Sequence, residues 1–429
     1  MCKLVCRIFL WYLHSSPNYQ LAVRIGYLLF WLLPAWAYAQ KPVPPAFHPE
    51  PEEALKRYQT TLTQLRQEHP NHRDLPDLKF FLFGMGDRLK LIYRNGRLLN
   101  ALTGNIEEQW RVEREVIVPS EYLVQLTLAG ETPPQSRTIQ IREDENGVWI
   151  LQPDKRPKLI PGTRSRVNLP TFADKAYGPV LRVLHQELLI NVINGRPVPN
   201  FLVYARPWFR DAALMAMVLR ATDNLSLIRD WIMAIRDPFD RNNRGIAEAD
   251  NLGQVLFLIS LVSDKSHPAV AMVLDSVRRF TKDTHIVGRT DYAEHPVFQT
   301  KWLKYGLKAL NLPDPYVIPA QYDTYSALVW WAYRDQHVAG KKFDDETGRN
   351  YPYLVWAEDN FYGQSGASEK RGMVGSLDYP LSWEQQASAA HYPSLTVLER
   401  DLVKQKLAFP HTWHAAEMFL LLSQQQLNK

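Results

Sequence analysis

A chain of 429 residues is longer than a single hydrophobic core usually grows, so it has room for two domains and a leader. Its formal charge is +5, of which Lys3, Arg7 and Arg24 contribute three, and the +2 left for the remainder is no signature of nucleic-acid binding. Both cysteines, Cys2 and Cys6, fall in the same N-terminal stretch, which excludes a disulfide or a thiolate metal site from the rest of the chain.

Residues 1–39 contain no acid and run into the apolar stretch "IGYLLFWLLPAWAYAQ", whose Ala37-Tyr38-Ala39 is the small-x-small pattern of a secretory cleavage site. The apolar run after Arg24 is shorter than the roughly 20 residues of a spanning helix and contains Pro34. A cleaved signal peptide is therefore expected over 1–39, giving a secreted or periplasmic chain that starts at Gln40 and has no further membrane attachment. The stretch before Arg24 is long for a leader and leaves the position of the true start codon open.

Residues 40–75 read as a Pro-rich extended spacer, "KPVPPAFHPEP", followed by one short amphipathic helix, "EEALKRYQTTLTQLRQEH". Over 76–160 the pattern changes to short apolar runs such as "LKFFLFGM", "LKLIYR", "EYLVQLTLA" and "GVWILQ". Asn95-Gly96 and Asn146-Gly147 are favoured hairpin turns, so a small antiparallel β domain, a β-sandwich, is expected there. From 170 to 429 the period is helical, with segments near 173–194, 211–222, 225–236, 250–263, 268–283, 297–310, 322–337 and 411–427 and shorter helices between 345 and 406. The connections of this half are rich in Asp, Asn, Pro and aromatic residues, a chemistry that often carries function.

In "YARPWFRDAAL", Tyr204, Trp208 and Phe209 surround Arg210 and Asp211. An ion pair with a helix cap explains the charges on one reading. On the other, a flat ring covers the apolar face of a sugar while a carboxylate accepts hydrogen bonds from its hydroxyls. "GIAEADNLGQVLFLI" sets Glu248, Asp250 and Asn251 at the mouth of an apolar helix, and capping explains only one of those carboxylates. "GRTDYAEHPVFQT" brings Asp291, Glu294 and His295, with no second His or carboxylate at the helical spacing a metal site needs. Glu358 beside Trp356 and Glu384 beside Trp383 complete the series, and each also reads as a solvated surface.

"GQSGAS" lacks the spacing of a nucleophile elbow, and no phosphate loop, dinucleotide fingerprint or zincin motif is present, so neither cofactor nor metal is expected. The recurring unit is a carboxylate flanked by aromatic rings at a helix start. It suits acid/base work on glycosidic bonds.

Between about 175 and 427 the chain resembles the six-hairpin glycosidases, and most of all the glucoamylase-like glycoside hydrolases. "WFRDAAL" is similar to the family's Trp-x-Arg-Asp-Ser-Ala-Leu segment, and "DNLGQVL" to its Asp-x-x-Gly-x-x-Leu. Asp291 stands nine positions before Thr300 of "VFQT", where the family has its general-acid Glu, and Glu384-Gln385 precedes "TWHAAEMFLLL" as the family's catalytic base does. The resemblance implies a mostly α fold, an (α/α)6-type helical toroid after the small β domain. It implies Asp291 or Glu294 as acid and Glu384 as base. Tyr204, Trp208, Arg210, Asp211, Glu248, Asp250, Trp356, Glu358, Trp383 and Trp413 would bind an oligo- or polysaccharide. The expected function is an inverting glycoside hydrolase. The alternatives are a non-catalytic carbohydrate-binding or polysaccharide-assembly protein, favoured by Asp in place of Glu, and lyase, phosphorolysis or hydration chemistry.

Overall fold

The computed structural model describes residues 43–48, 50–68, 80–130, 137–201, 204, 206–242, 244–291, 293–321, 332–333, 336 and 412–424. The leader and the helix expected over 322–337 lie outside these residues, apart from the isolated positions 332–333 and 336. Helix α1 (Pro51–Glu68) opens with Pro and with Glu52 and Glu53 in its first turn, where a missing N–H costs nothing and negative charge is favoured. Ala54, Tyr58, Leu62 and Leu65 form its buried stripe at helical spacing.

Two antiparallel sheets follow. β1 (Phe81–Phe83), β2 (Leu91–Arg94), β3 (Arg97–Asn100) and β4 (Ile106–Gln109) form the first. β5 (Val112–Val118), β6 (Leu123–Leu128), β7 (Thr138–Asp144), β8 (Gly147–Leu151) and β9 (Lys158–Leu159) form the second, each strand pairing with the next in sequence. The β2–β3 turn is Asn95-Gly96 with φ of 47° and 72°, the mirror-image geometry that matches strand twist. Alternate residues Phe81 and Phe83, Leu91 and Tyr93, Val124 and Leu126, Ile139 and Ile141, and Val148 and Ile150 share one core, as a strand period of two requires.

The opposite face of the first sheet joins a second and larger core. Leu82 and Ile92 pack there with α1 and with α2 (Gly178–Ile190). Gln186 Nε2 donates to Leu82 O at 2.9 Å and Gly86 N to Leu189 O at 2.8 Å, which ties sheet to helix. The described residues from Pro45 onward belong to one compact unit.

After α2 come the paired strands β10 (Val192–Ile193) and β11 (Arg196–Pro197), then α3 (Phe209–Ala221), α4 (Arg229–Met233), α5 (Asn251–Ser260) and α6 (Pro268–Val277). Two further hairpins, β12 (Thr281–Lys282) with β13 (His285–Ile286) and β14 (Arg289–Thr290) with β15 (Ala293–Glu294), lead to α7 (Pro296–Ala309). The last described element is α8 (Thr412–Leu422), which packs against α2 and α3, while α3 also packs on α5. No helix among the described residues is long and apolar enough to cross a membrane.

The expectation of a mostly helical toroid is overturned. Among the described residues eight helices stand with fifteen strands in five sheets, at 37% helix and 21% strand, so the fold is mixed α/β. Helical periodicity in the sequence runs through 173–194 and 268–283, whereas the helices end before the hairpins there. The first stops at Ile190 because Asn194 and Gly195, with φ of 49° and 70°, turn the chain back on itself, and the second stops at Val277 ahead of β12.

Helices α5 and α7 approach backbone to backbone. A Cβ on Gly253 would lie 2.1 Å from the Trp302 carbonyl carbon, and one on Gly306 would lie 2.5 Å from Gly253 O. In Gly253→Ala, helix propensity would favour the folded state by about 1 kcal/mol, and overpacking would oppose it by about 1–3 kcal/mol. Overpacking should win, because the obstructing atoms are backbone and cannot rotate away. A lower unfolding midpoint in urea is expected, and an unchanged or higher midpoint would contradict the close approach.

Candidate functional site

Arg210 sits in the first turn of α3 with its side chain buried. Its Nη2 donates to Asp291 Oδ1 at 3.1 Å and lies 3.6 Å from Glu248 Oε2, and its Nη1 is 3.7 Å from Asp250 Oδ2. The guanidinium carbon lies 4.8 Å from the centroid of the Trp413 ring, a cation–π contact that covers one face of the charge. One cation therefore faces three carboxylates. Their side-chain exposures are 21% for Asp291, 4% for Glu248 and 0% for Asp250.

Local structure delivers each group. Glu248 and Asp250 precede α5, and Asp291 opens the turn between β14 and β15 with φ of 54°, a left-handed conformation that Asp tolerates better than most residues. Asp291 N donates to Glu248 Oε1 at 2.8 Å, and Asn242 Nδ2 donates to the same oxygen at 3.0 Å. Asp250 accepts from Thr290 Oγ1 at 2.7 Å and from Gln254 Nε2 at 2.8 Å. Gln299 of α7 donates to Thr290 Oγ1 at 2.9 Å and to Gly288 O at 2.7 Å, which clamps the hairpin to α7.

Burial sets the protonation states. It pushes Glu248 up to about 8 against the pull of Arg210, with Asp250 and Asp291 adding to the rise, which favours the neutral carboxyl. Burial also raises Asp250, opposed by Arg210 and by its hydrogen bonds from Thr290 and Gln254. His295 is pushed down to about 4 by burial, with Asp291 opposing and Arg210 reinforcing, and it is neutral at pH 7.

Of the residues expected from sequence, Arg210, Glu248, Asp250, Asp291 and Trp413 come together around the guanidinium. Tyr204 and Trp208, six and two residues ahead of Arg210, pair with their ring centroids 5.0 Å apart, Tyr204 buried and Trp208 half-buried. Asp211 is fully buried and turned toward α8, where its Oδ1 accepts from Thr412 Oγ1 at 3.2 Å and Trp413 N at 3.3 Å. It caps a helix two hundred residues downstream instead of its own. Glu294 pairs with Arg289 across the hairpin and is exposed. Trp356, Glu358, Trp383 and Glu384 lie outside the described residues.

Asp240 was not anticipated. Its Oδ2 accepts from Phe209 N at 2.5 Å, satisfying an orphan donor at the start of α3, and burial pushes it up to about 7 with that hydrogen bond opposing. The Asp- and Asn-rich stretch "DPFDRNNRG" was the signal that could have found it together with Asn242. Among the described residues no three His, Cys, Asp or Glu side chains are grouped to hold a metal ion.

The raised carboxyls link stability to pH. In the folded chain Glu248 and Asp240 keep protons that the unfolded chain releases near 4.5 and 3.8, so their contribution is complete below those values and is lost as pH rises toward about 8 and 7. His185 and His295, both lowered by burial, give the opposite slope below about 6.5. Glu248→Gln isolates the effect. Relative to this variant, the wild type should lose stability steadily between pH 5 and 8 in urea unfolding, and parallel curves would contradict a protonated Glu248. No protein-family model, no curated protein and no solved structure matches this chain.

Proposed function

We propose that this chain is an exported glycoside hydrolase that cleaves an oligo- or polysaccharide by inverting general acid/base catalysis, with Asp291 as acid and Glu384 as base. The observation that carries the reading is the position of Asp291. It is the most exposed of the three carboxylates around Arg210, so a substrate can reach it while the guanidinium holds its back. The half-buried ring of Trp208 beside Tyr204 offers the flat apolar surface on which a sugar ring rests.

In the proposed reaction the Asp291 carboxyl gives its proton to the glycosidic oxygen as the C–O bond breaks. The Arg210 N–H at 3.1 Å then stabilises the carboxylate that forms. Glu384 takes a proton from the water that attacks the anomeric carbon from the opposite face, which needs about 6.5–9.5 Å between the two carboxyl groups. The product sugar has inverted configuration.

A second reading is a carbohydrate-binding protein without turnover. The mutual pairing of Arg210, Glu248 and Asp250 in a buried cluster favours it, because groups so engaged set shape and charge as well as they serve chemistry.

A glycan panel with reducing-sugar detection separates the two. For a hydrolase, Asp291→Asn and Glu384→Gln should each lower turnover by about 10²- to 10⁴-fold with affinity nearly kept, whereas Glu294→Gln should stay active. Glycan binding by the wild type with no reducing sugar released would establish the second reading. Activity that survives in Asp291→Asn and disappears in Glu294→Gln would move the acid to Glu294.

A further inference from the structure

We infer that Glu248 is a positioning residue for Asp291: it holds the Asp291 backbone in place and decides whether Arg210 stays with the Asp291 carboxylate. Its own carboxyl is too deeply buried to meet a substrate. Its role in turnover rests on Asp291 being the proton donor proposed above, whereas its hold on Asp291 does not.

Glu248 Oε1 accepts the Asp291 N–H at 2.8 Å, at a residue whose φ of 54° puts it in the left-handed region. The same oxygen accepts from Asn242 Nδ2 at 3.0 Å. Asn242 is itself fixed, since its N donates to Ile246 O and its Oδ1 accepts from Arg244 N at 2.9 Å and Ile246 N at 3.1 Å. A relay of hydrogen bonds thus runs from Asn242 through Glu248 to the hairpin.

Oε2 faces the other way, toward Arg210. The shared Nη2 is nearer Asp291, at 3.1 Å, than Glu248, at 3.6 Å. That asymmetry fits a Glu248 whose carboxyl is raised by burial, which weakens its hold on the guanidinium relative to Asp291. The charged groups facing it are Arg210 from α3, Asp250 at the start of α5 and Asp291 on the hairpin, with Asn242 as a neutral donor. Above its titration Glu248 becomes a second anion competing for Nη2. Arg210 is then drawn away from Asp291, and the carboxylate that Asp291 becomes on giving up its proton loses its stabilising N–H.

Two variants of the full chain test this. Glu248→Gln keeps an oxygen for both N–H donors and cannot ionise, whereas Glu248→Ala removes the acceptor. Amide exchange at Asp291 should speed up about fivefold or more in Glu248→Ala and change less than twofold in Glu248→Gln, as expected when one buried hydrogen bond is lost or kept. The guanidinium ¹⁵N signals of Arg210 should shift near pH 8 in the wild type and not in Glu248→Gln. If the wild type hydrolyses glycans, its rate should fall through the same pH while Glu248→Gln stays level. Unchanged Asp291 exchange in Glu248→Ala, or an Arg210 transition that persists in Glu248→Gln, would overturn the inference, and the second result decides even if the Ala variant fails to fold. A wild type inactive on every glycan would refute the hydrolase reading and leave these two spectroscopic outcomes to decide the role of Glu248.

Discussion

The buried guanidinium of Arg210 is the constraint on which the site depends. Taking a cation and several carboxylates out of water costs more than their attraction returns unless hydrogen bonds and protonation make up the difference. Here both do. Burial favours the neutral form of Glu248, Asp250 receives two side-chain donors, and the Trp413 ring covers the guanidinium. Three helix starts add their partial positive charge, with Asp240 accepting from Phe209 N at α3, Asp211 from Trp413 N at α8, and Asp250 lying at the mouth of α5.

The packing of helices sets the position of these groups. Gly253 and Gly306 bring α5 and α7 into backbone contact, and Gln299 on α7 grips the hairpin that carries Asp291. Thr290 of that hairpin bonds Asp250 at the start of α5. Helix spacing, hairpin and carboxylates are therefore joined by one chain of contacts, from the α5–α7 interface through Gln299 and Thr290 to Asp250. Within "DNLGQVL", Gly253 has a packing role of its own beside the carboxylate at its start.

Legibility followed the range of the interactions. Asn95-Gly96 could be recognised because a two-residue turn is specified by the two residues themselves. Arg210, Glu248, Asp250 and Asp291 stand out in the sequence because charge at the mouth of an apolar helix is a local anomaly. Asn194-Gly195 carried the same turn signal and was absorbed into a helical period, one of several short hairpins that make the fold mixed and not a helical toroid. Long-range partners stayed hidden: Asp240 caps a helix whose first residue lies 31 positions earlier, and Asp211 receives an N–H from 202 positions later. The sequence marks Asp211 as a candidate helix cap, but no pattern in it names the helix that it caps. The upward shift of Glu248 arises from burial beside other acids, which only the assembled structure brings about.

The most direct measurement of Arg210 as the organising charge is the pH dependence of stability in Arg210→Met, which keeps an apolar stem and removes the cation. The carboxylates would lose their counter-ion, and a broken buried ion pair costs about 3–5 kcal/mol. The loss relative to wild type should be largest near pH 8, where the carboxylates are driven to ionise, and smaller near pH 5, where protonation replaces the missing cation. A variant as stable as the wild type at both values, with the same slope between them, would show that the cluster does not depend on Arg210.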